Sequence, residues 1–346
     1  MIPVQTITIG PEDGEQRLDR WLKRRFPQLS QIQIEKLCRK GEIRIDGGRV
    51  KPATRTEVGQ SVRLPPLPEA GELPDKPRQV EADQGDIELI QSAVIYHDDD
   101  IIAINKPPGL PSQGGSGQGE RHVDGLAEHL TFGRPEKPSL IHRLDKDTSG
   151  VLLLGRTPSA TRALNAIFRG RDLQKVYWAA VAGSPKPEKG TIRFGLVKGG
   201  HPRDEKMLAI HPSKVDATEG AKRAVTDYAV IEKLGTRLTW VAMQPVTGRT
   251  HQLRAHMAEI GHPILGDGKY GGSSQENLGD GWGAGIGGEI SRKLHLHARS
   301  LTFRHPKTNN WVNIVADLPE HMARTWKTVG WSVWDAPDDP FESLRK

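Results

Sequence analysis

The sequence predicts an α+β protein: a large mixed, mostly antiparallel sheet in the body of the chain, preceded by a small basic α/β module. Three observations carry this reading. From about residue 93 onward, apolar runs of strand length outnumber helical patterns and do not alternate with them strictly, which argues against a doubly wound parallel sheet. Residues 17–63 hold 13 Lys and Arg against 5 Asp and Glu, whereas the whole chain has 49 against 43, so the remainder is slightly acidic. Between the two regions lies a stretch rich in proline and acidic residues. The expected organisation is therefore a basic module over 15–64, a semi-extended linker over 65–92 that does not pack, a main domain over 93–320 and a C-terminal extension over 321–346.

Composition narrows the class. A length of 346 residues suits one large or two ordinary domains, and 35% hydrophobic with 27% charged residues describes a soluble globular chain. No apolar run approaches the roughly 20 residues of a membrane span, and "MIPVQTITIGPEDGEQ" lacks a basic-then-apolar leader, so a cytoplasmic protein without a membrane partner is expected. The single cysteine, Cys38, excludes an internal disulfide and a Cys-rich zinc site, and its helical apolar spacing marks it as a core residue.

Within the basic module, Leu18, Trp21, Leu22 and Arg25 fall at helical spacing. Ser30 can cap a second helix carrying Ile34, Leu37 and Cys38, which Gly41 should stop. "EIRID", "GGRV" and "SVRL" then read as short strands. Two helices on a small sheet leave the lysines and arginines outside, the electrostatic footprint of a protein that grips phosphate backbones.

In the body, "AVIYHDDDIIAINKPPG" reads as strand, acidic turn and strand. "VLLLGRT" is a buried strand, followed by a helix with Ala160, Leu164, Ile167 and Phe168 on one face, and "KVYWAAVAG" is another strand. "RLTWVAMQPV" leads to "TGRTHQLRAHMAEIGHPILGD", where Thr250 is the expected N-cap and Leu253, His256, Met257 and Ile260 form an apolar stripe. Arg254 sits about 100° off that stripe, so its head is free to leave the core. "YGGSSQENLGDGWGAGIGG" reads as a glycine-rich surface loop, and "LHLHARSLTFRHP" as a late strand.

The chemistry concentrates in "HRLDKDTSG". Asp145 and Asp147, two apart in an extended loop, should point to opposite sides and cannot form a carboxylate pair facing one substrate. A lone aspartate used as a nucleophile must stay ionised, which a nearby arginine secures, and Arg254 is the candidate. Tyr177 offers a ring face to a nucleobase, and Arg143 could fill the space left by an extruded one.

Two resemblances extend the reading. "RLDRWL" and "GEIRIDG" resemble the alpha-L RNA-binding module first described in a ribosomal small-subunit protein, over about fifty residues. "INKPPGLPSQGG", "HRLDKDTSG", "KVYWAAVAG", "TGRTHQLRAHM", "GHPILGDGKYGG" and "LHARSLTFRHP", in that order over residues 93–318, resemble the RluA-type pseudouridine synthases. The resemblance implies the pseudouridine synthase fold and an isomerase that cleaves the uracil glycosidic bond, turns the base and rejoins it through carbon 5, with no cofactor and no metal. It implies Asp145 as the catalytic aspartate, Arg143 as the base-displacing arginine, Tyr177 as the stacking tyrosine, Arg254 as the partner of Asp145, and His142 and Lys175 as supporting substrate-binding residues. The basic module supplies the expected RNA-binding residues Arg17, Arg20, Lys23, Arg24, Arg39, Lys40 and Arg44. "QGGSG" and "HVDGL" resemble the RluC branch, which modifies large-subunit ribosomal RNA; sister branches act on other sites. The expected partner is that RNA or its assembly intermediates, bound by a monomer.

Two rival readings use the same residues. His142, Asp145, Asp147, His251 and His256 could ligate a metal in a nuclease, although histidines five apart do not share a helix face as metal ligands one turn apart would. A non-catalytic ribosome-assembly factor could keep the fold. At the C-terminus, Trp326, Trp331 and Trp334 could stack on RNA, but the adjacent "DAPDDPFE" would repel phosphates and favours their packing on the body.

Overall fold

The computed structural model describes residues 4–13, 16–67, 82–114, 121–170, 173–199, 206–271 and 290–344. The chain divides into two compact units, Met1–Val80 and Glu81–Lys346.

In the first unit, strand β1 (Gln5–Thr8), helices α1 (Leu18–Arg25) and α2 (Gln31–Lys40), and strands β2 (Arg44–Ile45), β3 (Gly48–Arg49) and β4 (Ser61–Leu64) form a sheet of order β1-β4-β2-β3 beneath two helices. Local chemistry sets the second helix. Ser30 accepts the Gln33 backbone N–H while the Gln33 side chain accepts that of Ser30, a reciprocal cap, and Gly41 ends the helix in the left-handed region at φ 70°. The core gathers Leu18, Trp21, Leu22, Ile34, Cys38, Val62 and Leu64. Leu67, at the start of the expected linker, is buried in this core.

The second unit contains α3 (Gln84–Ser92), β5 (Val94–His97), β6 (Ile101–Lys106), α4 (Val123–Leu126), β7 (Ser139–Leu140), β8 (Ser149–Gly155), α5 (Pro158–Arg169), β9 (Gln174–Ala182), β10 (Lys189–Lys198), β11 (Met207–Ile210), β12 (Lys222–Leu234), β13 (Leu238–Pro245), α6 (Gln252–Glu259), β14 (Leu296–Arg304), β15 (Trp311–Val315) and α7 (Glu320–Val329). Its eleven strands form one mixed sheet, order β11-β10-β12-β13-β9-β14-β8-β6-β5, with β15 on β14 and β7 on β8. Among the described residues its strand pairings are antiparallel except β14 with β8. That parallel seam needs Gly150: at φ 110°, a Cβ there would lie 2.2 Å from the Ala298 carbonyl oxygen.

One expected boundary shifts. Residues 84–92 form α3 with Ile90 fully buried, so the end of the proline-rich stretch packs into the second unit. The C-terminal segment packs as well. Trp326 and Trp331 join Trp178 and Trp240 in one aromatic core, Trp326 meeting Trp240 edge-on at 5.4 Å, while Trp334 stays 90% exposed. The expected glycine-rich loop falls almost wholly in 272–289, outside the described residues.

Candidate active site

Asp145 lies on the connection from β7 to β8, just before the fully buried strand Ser149–Gly155. The connection is a tight turn rather than an extended loop: the Thr148 N–H donates to the Asp145 carbonyl at 3.2 Å. The turn still separates the two aspartates. Asp145 faces inward with its side chain 29% exposed, whereas Asp147 is exposed and makes no side-chain hydrogen bond among the described residues.

What fixes this turn is the segment after β6. Lys106 is fully buried and its Nζ donates to the carbonyls of Pro107, Leu110 and Lys146 at 2.9, 2.8 and 3.0 Å. Three acceptors match the three protons of an ammonium, although burial pushes the Lys106 pKa down to about 7 against the pull of Asp147 and Asp145. Ser112 completes the clasp, donating to the Leu144 carbonyl at 2.7 Å and accepting the Leu144 N–H at 3.0 Å. Lys106 and Ser112, rather than Asp147, thus hold the loop.

Helix α6 supplies the groups facing Asp145. The Arg254 guanidinium lies 3.6 Å and His251 Nε2 3.8 Å from Asp145 Oδ2. The expectation that the Arg254 head leaves the core is wrong. Its side chain is 6% exposed, and Nε and Nη2 each donate at 2.7 Å to the carboxylate of the fully buried Asp267. Asp267 also accepts the backbone N–H groups of Lys269 and Tyr270, at 3.0 and 3.1 Å. Gly266 permits this approach, because a Cβ at its φ of 74° would lie 2.1 Å from the Lys293 carbonyl oxygen. Arg254 is therefore gripped from one side by a closed carboxylate and presents its remaining face to Asp145. Its pKa is raised, because the hydrogen bonds and charge of Asp267, with a further contribution from Asp145, outweigh burial, the largest single influence.

The N-cap of α6 is His251, not the expected Thr250. It sits in the left-handed region at φ 52° and ψ 20°, a conformation costing a non-glycine residue about 1–3 kcal/mol. Instead of capping the helix, its ring turns to Asp145 and, through Nδ1, to the Tyr270 hydroxyl at 3.1 Å. Tyr177 on β9 packs where two core clusters meet, and its hydroxyl pKa is raised by burial and then by the Asp145 charge, which places both in one electrostatic neighbourhood. Arg143 is exposed and its side chain pairs with no other described residue.

His142 and Lys175 stand apart from this group. The His142 ring stacks on Phe168 at 4.7 Å and its Nε2 accepts the Leu153 N–H at 3.1 Å; burial, then Lys175, pushes its pKa down to about 3. The Lys175 ammonium lies 4.7 Å from the Phe168 ring centre. Among the described residues neither forms a hydrogen bond or ion pair with Asp145, and His142 Nε2 is already occupied by the Leu153 N–H. Among the described residues the rival nuclease ligands form no metal-like group: His251 lies beside Asp145, but His256 packs against Phe194. The group of Asp98, Asp100 and His305 has metal-like spacing, but the Asp98 carboxylate is occupied by the Tyr96 hydroxyl, the backbone N–H groups of Asp100 and Ile101, and His305.

The basic module divides its cations. Arg20, Lys23 and Arg39 are exposed and their side chains pair with no other described residue. Arg17 pairs with Asp19 at 2.6 Å, Arg24 with Asp13, and Lys40 with Glu42 at 3.5 Å. Arg44 is half-buried and donates to the Gly41 and Gly47 carbonyls at 3.1 and 3.0 Å, so it shapes the hairpin.

Comparison with known proteins adds to this geometry. Residues 100–259 match the RNA pseudouridylate synthase family and residues 16–62 the S4 domain. The ribosomal large subunit pseudouridine synthase C of Haemophilus influenzae is 33% identical over 321 residues, covering 92% of this chain and 93% of its own. That of Escherichia coli strain K12 is 33% identical over 326 residues, covering 93% and 95%. Among solved structures, human RNA pseudouridylate synthase domain containing 4 superposes with a TM-score of 0.58 at 30% identity, covering 71% of this chain and 97% of its own.

Proposed function

The chain belongs to the RNA pseudouridylate synthase family and isomerises uridine to pseudouridine in RNA, and we propose that its substrate is large-subunit ribosomal RNA and that Asp145 carries the reaction. The observation that supports Asp145 is its setting: one inward carboxylate with Arg254 at 3.6 Å, Tyr177 in the same neighbourhood and the exposed Arg143 two residues away.

The balance of the reaction explains why so little machinery is needed. The bond between C1′ and N1 breaks, a bond between C1′ and C5 forms, C5 gives up its proton and N1 gains one. The product is an isomer of the substrate, the C5 proton passing to solvent and one proton arriving at N1, so a single carboxylate acting on the sugar, a face to hold the free base and exclusion of water as a nucleophile suffice. Arg254, at 3.6 Å, gives the Asp145 carboxylate a cationic neighbour on its inner side. Tyr177 presents its ring to the uracil, and its raised pKa keeps the hydroxyl protonated. Arg143, unpaired on the exposed turn, enters the helix as the uridine leaves it, offsetting the few kcal/mol that unstacking costs.

Of the expected RNA-binding cations, Arg20, Lys23 and Arg39 are free for phosphates, while Arg17, Arg24 and Lys40 must share themselves with carboxylates. The protein acts as a monomer in the compartment of the ribosomal RNA. Carbodiimide labelling and primer extension on ribosomal RNA from a strain lacking the gene, against its parent, test the substrate. Loss of one or more stops in the large-subunit RNA is expected, and an unchanged stop pattern there would overturn the assignment.

A further inference from the structure

Near Asp145 the structure holds one group that the reaction as described does not use, the pair His251 and Tyr270. We propose that His251 is a positioning residue for the Asp145 carboxylate, with Tyr270 fixing its tautomer, so that hydrogen-bond donation runs from Tyr270 through His251 to Asp145. The proposal rests on Asp145 being the reacting carboxylate.

The direction of donation follows from Tyr270. Its oxygen accepts the backbone N–H of Met207, the first residue of β11, at 2.8 Å, which leaves the hydroxyl proton for His251 Nδ1 at 3.1 Å. An imidazole accepting at Nδ1 carries its proton on Nε2, the atom 3.8 Å from Asp145 Oδ2. That distance is roughly 0.6–1 Å beyond hydrogen-bond range, a gap of the kind that closes when substrate fills a site. The backbone makes the arrangement deliberate. His251 adopts φ 52° at the head of α6 without capping it, so the strained conformation serves to aim the ring. The ring meets Tyr270 edge-on at 5.8 Å, which fixes its plane.

Burial, set against charges of both signs, favours a neutral donor. Asp145, Arg254, Asp267 and Lys269 all act on the imidazole, while Arg254 and Lys206 lie 5.3 and 5.4 Å from the Tyr270 ring centre. Burial outweighs the rest and lowers the His251 pKa, so the ring is neutral at neutral pH. Burial likewise pushes Tyr270 up to about 12, so its hydroxyl keeps the proton it donates. The tie to Met207 adds a consequence: the register of the hairpin of β10 and β11 sets the orientation of the catalytic carboxylate.

The test compares His251→Ala, His251→Asn and His251→Gln in the full-length protein. The glutamine amide nitrogen reaches the place of Nε2, whereas the asparagine amide reaches only that of Nδ1. Single-turnover rates on the target RNA should fall by roughly 30–100-fold in the Ala and Asn variants, with RNA affinity unchanged and the Gln variant within about fivefold of wild type. A His251→Ala rate within about threefold of wild type, or a Gln variant as slow as Ala, would overturn the proposal. Should His251→Ala not fold, Tyr270→Phe decides: about a fivefold slowing is expected, and an unchanged rate overturns it. Asp145→Asn, measured alongside, separates the two layers. Turnover in that variant removes Asp145 and the relay with it, whereas a dead Asp145→Asn beside a fully active His251→Ala removes the relay alone.

Discussion

Replacing Asp267 with asparagine removes one charge from a pair that is closed to water. The guanidinium of Arg254 is 6% exposed and the Asp267 side chain not at all, and two hydrogen bonds of 2.7 Å join them. After Asp267→Asn, an amide N–H faces the Arg254 N–H groups, and the buried cation keeps a single carboxylate neighbour, Asp145 at 3.6 Å. Breaking a buried pair from one side costs about 3–5 kcal/mol, which for a unit of this size lowers the melting temperature by roughly 6–20 °C. The functional effect is separate. Arg254 shifts toward Asp145 and draws the carboxylate out of line, and a displacement of about 1 Å is worth on the order of 100-fold in rate. The assay is a double-mutant cycle by thermal denaturation and single-turnover kinetics. Asp267→Leu combined with Arg254→Met should recover stability through a coupling of roughly 2–3 kcal/mol, while activity stays lost. Additive stabilities, or an Asp267→Asn enzyme turning over at the wild-type rate, would refute the view that Asp267 is the anchor of Arg254.

Three further outcomes are expected. Lys106→Met should leave the sheet folded but free the carbonyls of Leu110 and Lys146, so that the Asp145 turn loosens and the rate falls at least tenfold with unchanged RNA affinity, measured by single turnover and filter binding. Acid should destabilise the second unit. Burial holds His142 and His295 at about 3 and His256 and His297 at about 4, below the unfolded value near 6.5, so these four imidazoles gain protons only on unfolding. Stability should thus be intact above about pH 6.5 and decline as pH falls toward 4; denaturant midpoints unchanged from pH 7 to pH 5 would contradict this. Substituting Arg20, Lys23 and Arg39 together by glutamine should weaken RNA binding and flatten its salt dependence by about three phosphate contacts, read from affinities at several salt concentrations.

Much of the first unit was legible because its signals are local. The Ser30 cap, the Gly41 stop and the spacing of Leu18, Trp21, Ile34 and Cys38 each act within a turn or two of chain. Strand β1 escaped notice because its four residues alternate without strong apolar character and gain meaning only by pairing with β4. In the second unit, the neighbourhood of Asp145, Tyr177 and Arg254 followed from ordered motifs, but the way it is held did not. Asp267 sits 13 residues beyond Arg254, and nothing in the spacing says that its carboxylate folds back onto α6. Nothing in the sequence around Lys106, before two prolines, marks it as buried; only the approach of residue 146, forty positions away, makes it a buried clasp. His251 reads only as a rival metal ligand, with Thr250 as the expected cap, because its left-handed backbone is invisible in sequence. The three C-terminal tryptophans divide for a similar reason, since the burial of Trp326 and Trp331 depends on Trp178 and Trp240 from distant strands.

The central claim is that Asp145 converts uridine to pseudouridine in large-subunit ribosomal RNA. Because C5 loses its hydrogen when it joins C1′, RNA transcribed with tritium at C5 of uridine reports each turnover by releasing tritium to water. Wild-type protein should release it in proportion to the number of target uridines, and Asp145→Asn should bind the same RNA with equal affinity and release none. Release by Asp145→Asn at the wild-type rate, or an inert Asp147→Asn beside an active Asp145→Asn, would contradict the account.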